Sequence, residues 1–539
     1  MKRRHFLGAS VLPLVGCTPP HTVEGGFIGI NHQRGHLLQG PVGPATPPVV
    51  RQTEVVIAGG GVAGLAAARA LRLRGRDDFA LLELEDSAGG NARGTEVGGM
   101  PCPMGAHYLP LPGDDAPHVQ DLLEELGLRT RVSGRWQYDE RHLCHSPQER
   151  LFFQGQWQEG LLPQSGVEPQ TLAQYRQFAQ LVEGARKAAH WAVPSFSRPV
   201  APVQQALKAI TFAAYLNQNG LSDAHLRWYL DYCCRDDYGA GTDVVSAWAG
   251  IHYFASRHGF HAPGMPNEER EEREGLLTWP EGNAWLTQRM AKPLGDRLHT
   301  AQVVLRIAQT RSGVEVDAWD VRAQRLVRWR ARQAIVALPV FIAARVVQDA
   351  PDFLRQAAQR TVYAPWLVAN IHIKAPLNDR PGAAPSWDNV MYGTAGLGYV
   401  DATHQSLQPV PGATVLTHYR ALGGAPESLA ARRRDLMAKP WEAWRDEILA
   451  EMALAHPDLP GKATRMDIVR YGHAMAIPVP EIQSKNGLQR AYSKRRELSK
   501  QEQSVVPTHG NLRFAHSDWA GYSVFEEAFT LGHLAGTTP

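Results

Sequence analysis

Residues 54–94 read EVVIAGGGVAGLAAARALRLRGRDDFALLELEDSAGGNARG, and the fold is decided there. Val55–Val56–Ile57 is a β-branched apolar run of the kind that forms a buried parallel strand. Gly59, Gly61 and Gly64 follow in G-x-G-x-x-G spacing, and an Ala/Leu-rich helical stretch runs on to Leu73. The first glycine permits the tight turn, the second lets backbone approach a pyrophosphate, and the third lets helix and strand pack closely. The helix N-terminus then directs unsatisfied N–H groups and its positive dipole end at phosphate. A second strand, Phe79–Leu84, brings Glu83 to a point 19 residues after Gly64, where a carboxylate bonds ribose hydroxyls. Strand, glycines, helix, second strand and acid together specify a dinucleotide site in an α/β, Rossmann-like domain.

The stretch continues through Ala68 and Gly75 to Asp86, Gly89, Gly90 and Arg93. Here the chain resembles the flavin-containing amine oxidase superfamily, which includes monoamine and polyamine oxidases, L-amino-acid oxidases, protoporphyrinogen oxidases and phytoene desaturases. That family's E-A-x-D-x-x-G-G-R run is met by Glu83, Asp86, Gly89 and Gly90, with Asn91 in place of the arginine, so phosphate contact passes to Arg93. The resemblance implies FAD as cofactor. It also implies that Gly105-Ala106-His107-Tyr108 is a turn passing beside the isoalloxazine ring. Trp279–Asn283 matches a P-x-G turn entering a helix. Val303–Ile307 matches a strand whose valine, Val304, contacts adenine through its backbone, and Arg332–Leu338 closes with Pro339 as a further family strand does.

The C-terminal block LRFAHSDWAGYSVFEEAFTLGHLAG, residues 512–536, is the second match. A strand, Leu512–Ala515, precedes a helix expected near Gly521, whose N-terminus faces the ribityl and O2 region of the flavin. Ser517 or Asp518 is the expected ribityl–phosphate contact. Tyr522 stands near one wall of the family's aromatic cage or, equally, packs under the helix. His473 projects toward substrate or is an ordinary loop histidine.

The signals imply a discontinuous FAD-binding domain from 51–135, 275–345 and 465–539. An α+β substrate domain comes from 136–274, which carries a helical insertion, and from 346–464. In the insertion, Arg235, Asp236 and Asp237 read as a salt-bridged helix end, and His252, His258 and His261 as surface histidines. Glu268–Glu274 reads as a solvated charged face. Glu427–His456 reads as a long helical stretch.

Met1–Cys17 is a targeting signal. Lys2-Arg3-Arg4-His5-Phe6-Leu7 has twin-arginine form, a short apolar run follows, and Leu14-Val15-Gly16-Cys17 has the form of a lipobox with Cys17 as the lipidated residue. The alternative is an ordinary signal peptide that contains a cysteine. Residues 18–50, rich in Pro and Gly, read as a tether. The expectation is export through the twin-arginine route to the periplasmic side, with a lipid anchor rather than a transmembrane span.

Four cysteines remain: Cys102, Cys144, Cys233 and Cys234. They allow three pairings in an oxidising compartment, although the adjacent pair reads as packed thiols. No Cys/His ligand spacing supports a metal site. The formal net charge of +3 on 56 basic and 53 acidic side chains leaves no nucleic-acid footprint.

The resemblance implies hydride transfer from an amine or amino-acid-like substrate to non-covalent FAD, since the anchoring cysteine of monoamine oxidases has no counterpart. Val368, Ala369 and Asn370 occupy the strand where many amine oxidases carry a lysine. This favours an alternative, a C–C dehydrogenase or desaturase passing electrons to a quinone or redox protein instead of oxygen. A third reading is a non-catalytic FAD-bearing subunit.

Overall fold

The computed structural model describes residues 22–40, 48–264, 275–406, 410–481 and 505–537. Val55–Ala58 forms a strand in which every side chain is buried. It sits at the centre of a six-stranded sheet, between Phe79–Leu82 and Gln333–Val336, all parallel. Leu298–His299 extends one side in parallel, and Leu512–Phe514 extends the other before a hairpin partner, Thr508–His509. Strands covered on both faces read as continuous apolar runs, which is why these segments stood out.

The helix Val62–Leu73 covers one face of this sheet and packs along the C-terminal helix Phe525–Thr537. The two approach through glycines: a Cβ on Gly532 would lie 2.0 Å from the Ala63 carbonyl oxygen, and one on Gly536 would lie 2.5 Å from that of Ala67. The C-terminal helix starts at Phe525, not near Gly521. Ser517–Ala520 forms a 3-10 turn, and Gly521 closes it in the left-handed region at φ +86. A four-stranded sheet, Val49–Gln52 with Gln302–Thr310, Gly313–Asp320 and Arg325–Ala331, flanks the nucleotide domain.

The second large sheet has eight strands around Val362–Ile373, which pairs with Ala463–Ile477 on one side and Thr414–Ala421 on the other. Two expectations change here. Ala463–Ile477 belongs to this eight-stranded sheet, so among the described residues the nucleotide sheet resumes with the 505–537 segment. Part of the expected tether is built into the fold: Glu24–Ile28 is an edge strand running parallel to Arg465–Val469. The Arg470 guanidinium stacks over its Phe27 ring at 3.5 Å, and Gly25 lets the partner strand approach closely, since a Cβ there would lie 1.9 Å from the Met466 carbonyl oxygen.

The insertion opens with strands Glu149–Phe153 and Gln156–Glu159, which complete the eight-stranded sheet, before its helices begin. Pro169–Ala188, Ala224–Tyr238 and Ala247–Ala255 are the main helices, and their apolar faces join the sheet in one core. The stretch 427–456 is two helices, Leu429–Ala438 and Trp441–Met452, because Pro440 cannot continue the first. No helix among the described residues is long and apolar enough to cross a membrane. The signal with Cys17 and the run 268–274 lie outside the described residues.

Candidate flavin and substrate site

The glycine loop divides into packing and ligand-facing positions. Gly59 adopts φ +103, and a Cβ there would lie 2.3 Å from the Ala337 carbonyl oxygen. A Cβ on Gly64 would fall 1.8 Å from the Gly59 oxygen. At Gly61 the nearest atom to a built Cβ is the Gly90 Cα at 3.9 Å, so that face is open. Gly61 is the N-cap of the helix and no side chain caps it, which leaves first-turn N–H groups for an anion. The Gly89 amide donates to the Gly60 carbonyl at 2.8 Å and sets the Gly89–Gly90 turn against this opening.

Glu83 is buried behind the loop. Its two oxygens accept from the Gly60 and Glu85 amides, each at 2.8 Å, and burial raises its pKa. Both oxygens are thus oriented and keep lone pairs for further donors. Residues 299–302 are stitched to the same turn: the Glu83 amide donates to His299, and the Gln302 amide donates to Glu83, both at 2.8 Å. The register of Gln302–Thr310 slips between Val304 and Arg306, so the strand departs from its ladder beside Val304.

The remaining candidates divide. The Arg93 guanidinium is buried and held by the Gly29 carbonyl at 2.8 Å, the Gly90 carbonyl at 3.2 Å and Glu85 at 3.7 Å. It braces the turn from behind. Ser517 is buried in the 3-10 turn, and a Cβ on Gly521 would meet open space. Asp518 is committed to protein, accepting from the Val340 amide at 2.9 Å and the Tyr363 hydroxyl. Tyr522 is fully buried, donates to Glu527 at 2.6 Å and packs edge-on to Tyr238, Trp248 and His252. His473 lies between the rings of Phe341 and Tyr363 with one face exposed, and desolvation brings it down to about 4.

Three distant segments meet at an exposed turn. Asn91 and Ala106 stay exposed although the Ala106 amide donates to the Asn91 carbonyl at 2.9 Å and the Asn91 side chain donates to the Ala474 carbonyl at 2.7 Å. Beyond the turn, His107 stacks on Tyr419 with ring centroids 4.3 Å apart and leans on Trp387. Burial brings His107 down to about 3, so it is neutral at physiological pH.

Past Tyr108 the interior is acidic. The helix end expected to be salt-bridged is so only in part: Arg235 pairs with Asp231 at 3.0 Å and Arg257 with Asp237 at 2.9 Å. The Asp236 carboxyl makes no hydrogen bond among the described residues. Burial first, then Asp237, pushes it up to about 7. Asp388, on the strand Asp388–Met391, is raised well above the carboxylate range by burial and by Asp236. Glu526, in the first turn of the C-terminal helix and 7% exposed, is raised by burial to about 7. Asp236 and Asp388 are surrounded by protein yet keep part of their surface accessible. His252 is not a surface residue: it is 2% exposed, bonded to the Ala192 carbonyl at 2.9 Å and stacked on Trp248. Neither Asp388 nor Glu526 carries a sequence signal: Glu526 is an acid in a helix first turn, which is ordinary, and Asp388 is a lone acid at the start of a strand. The four cysteines of the described residues are buried free thiols.

An open Gly61–Gly90 cradle, uncapped amides and a pre-oriented Glu83 fit a dinucleotide, and Gly61, Gly90, Glu83 and Val304 are the residues that would hold it. No curated protein sequence matches the chain. Among solved structures, a wild-type putrescine oxidase bound to putrescine superposes with a TM-score of 0.65 at 17% identity, covering 90% of this chain and 98% of that one. Cyclohexylamine oxidase from Brevibacterium oxydans gives 0.63 at 18% identity, covering 90% and 98%. A fatty acid isomerase from P. acnes gives 0.56 at 16% identity, covering 89% and 97%. Such identities establish the fold. The sequence model for flavin containing amine oxidoreductases matches residues 62–535, nearly the whole described chain, and the protein therefore belongs to that family of FAD-dependent oxidoreductases.

Proposed function

We propose that the protein oxidises a cationic amine, taking hydride from the carbon beside the nitrogen. The carrying observation is the acidic interior past Tyr108: Asp236 and Glu526 face Arg257, which is already paired to Asp237, and Asp388 faces Asp236 and Glu149 with no cation acting on it among the described residues. Buried carboxylates in excess of buried cations favour an ammonium ligand, whose charge offsets their desolvation. When bound, the flavin supplies the two-electron acceptor for the hydride. The C–H bond breaks with its electron pair, and the nitrogen lone pair forms the C=N bond. That lone pair is free only after the ammonium loses a proton, and the Asp236 carboxylate, poised at about 7, is placed to hold it. Neutral His107, stacked on Tyr419 and against Trp387, forms an uncharged wall that excludes water without repelling a cation.

A specific observation favours a second reading of the electron acceptor. Val368, Ala369 and Asn370 occupy the strand where many amine oxidases carry a lysine; Asn370 is fully buried, and its amide is spent between the Pro103 carbonyl at 2.9 Å and the Thr417 hydroxyl at 2.7 Å. An acceptor other than oxygen, a quinone or redox protein, suits this site. Anaerobic mixing with a panel of amines, amino acids and unsaturable carbon substrates, followed at the flavin band, tests both points. Bleaching by amines supports the amine reading; bleaching only by carbon substrates overturns it. Rapid recovery with peroxide on admitting air would overturn the non-oxygen acceptor.

We further propose that the flavin is non-covalent, to be checked by its release into the supernatant on acid precipitation. The signal supports export and anchoring through Cys17. Cys17→Ala should move the protein to the soluble fraction, and continued membrane fractionation would rule the lipid out.

A further inference from the structure

We propose that residues 23–39 form a strap closed over the adenosine side of the flavin site, and that this strap sets how long the cofactor stays bound; the proposal rests on the FAD assignment. The path of the segment carries it. After the edge strand Glu24–Ile28, the Gly29 carbonyl accepts from Arg93 at 2.8 Å. The Asn31 amide donates to Glu85 Oε1 at 3.0 Å, and its side-chain amide donates to Oε2 of the same carboxylate. Arg34 donates to the Leu84 carbonyl at 3.0 Å and forks onto Asp86 at 3.0 and 3.1 Å. The Leu38 carbonyl accepts from Arg345 at 2.7 Å. Leu37 and Leu38 then border a crevice of about 180 Å³ shared with Gly40, Leu305 and Arg345.

The partners are not scattered. Leu84, Glu85 and Asp86 directly follow Glu83, Leu305 directly follows Val304, and Arg93 follows the Gly89–Gly90 turn. The strap therefore lies lengthwise along the groups placed at phosphate, ribose and adenine. It is also held at its far end by the substrate sheet through Ile28↔Val469. A ligand on the inner side of this segment exchanges only when the Asn31–Glu85 and Arg34–Leu84 contacts open. Because Arg34 and Asp86 form an exposed ion pair, salt weakens one of these fastenings.

The test is the rate of flavin release from the purified holoprotein after large dilution, read as recovery of free-flavin fluorescence. Two variants open the strap differently: Asn31→Ala with Arg34→Ala removes the fastenings, and Asn31→Asp sets a like charge against Glu85. Both should release flavin about tenfold faster, with the flavin-free protein still melting in a single cooperative transition. An unchanged rate would overturn the strap, and slower release would mean that the segment competes with the cofactor. Wild-type protein that takes up no flavin would instead sink the FAD assignment.

Discussion

The dinucleotide cradle and the acidic interior are built in opposite ways. The cradle is made of backbone: Gly59, Gly61, Gly64 and Gly90 contribute amides and the absence of side chains, within 32 residues of sequence. The interior is made of side chains, with Asp236, Asp388 and Glu526 coming from a cap helix, a sheet strand and the C-terminal helix. A site made by backbone has to keep its spacing local. A site made by convergence leaves no local spacing to read.

The sharpest test of that contrast lies inside the cradle. Gly64→Ala drives a Cβ to 1.8 Å from a carbonyl oxygen and should cost upward of 3 kcal/mol or prevent folding. Gly61→Ala, with nothing nearer than 3.9 Å, should fold normally yet lose flavin affinity. Thermal melting with the flavin-to-protein ratio separates the two, and equal destabilisation would collapse the distinction. Next in size, Asp236→Asn combined with Asp388→Asn should raise KM for amines roughly 10–100-fold at unchanged flavin occupancy. Loss of flavin in that variant would mean the two regions are not independent.

The interior also predicts a pH dependence. Native Asp236 and Glu526 titrate at about 7, whereas unfolded carboxyls titrate near ~4. Between these values the native state holds protons that the unfolded state has released, so ligand-free stability falls as pH rises through the window. Asp236→Asn should flatten part of that slope in melting curves. Amine KM should fall over the upper part of the same range, as the carboxylates ionise. The smallest effect is expected for Tyr522→Phe, which removes the bond to Glu527 and should lower stability by about 1–2 kcal/mol while retaining flavin. Flavin loss there would restore Tyr522 as a wall of the cofactor site.

Periodicity and glycine spacing made the nucleotide sheet and the helix Val62–Leu73 legible. They failed where tertiary context decided the outcome. Glu24–Ile28, with two glycines, has weak strand propensity and is held by its neighbour, Ala463–Ile477. Residues 465–477 read from sequence as part of the FAD-binding domain yet pair in the eight-stranded sheet, because a strand's sequence does not say which sheet it joins. Arg235, Asp236 and Asp237 read from sequence as a salt-bridged helix end, yet adjacent residues on a helix point apart and Arg235 reaches back to Asp231, which leaves Asp236 without an ion pair among the described residues.

The edge strand also bears on mechanics. If the chain is anchored through Cys17 as proposed, six residue steps separate the lipid from Val23, a reach of about 20 Å at full extension. The enzyme would ride close to the bilayer, and any pull from the anchor would enter at Glu24. Glu24–Ile28 runs alongside its partner, so such a force would load the hydrogen bonds of the pair together, in shear, instead of peeling them one by one. An anchor attached this way would bear tension before the Gly61–Gly90 cradle felt it.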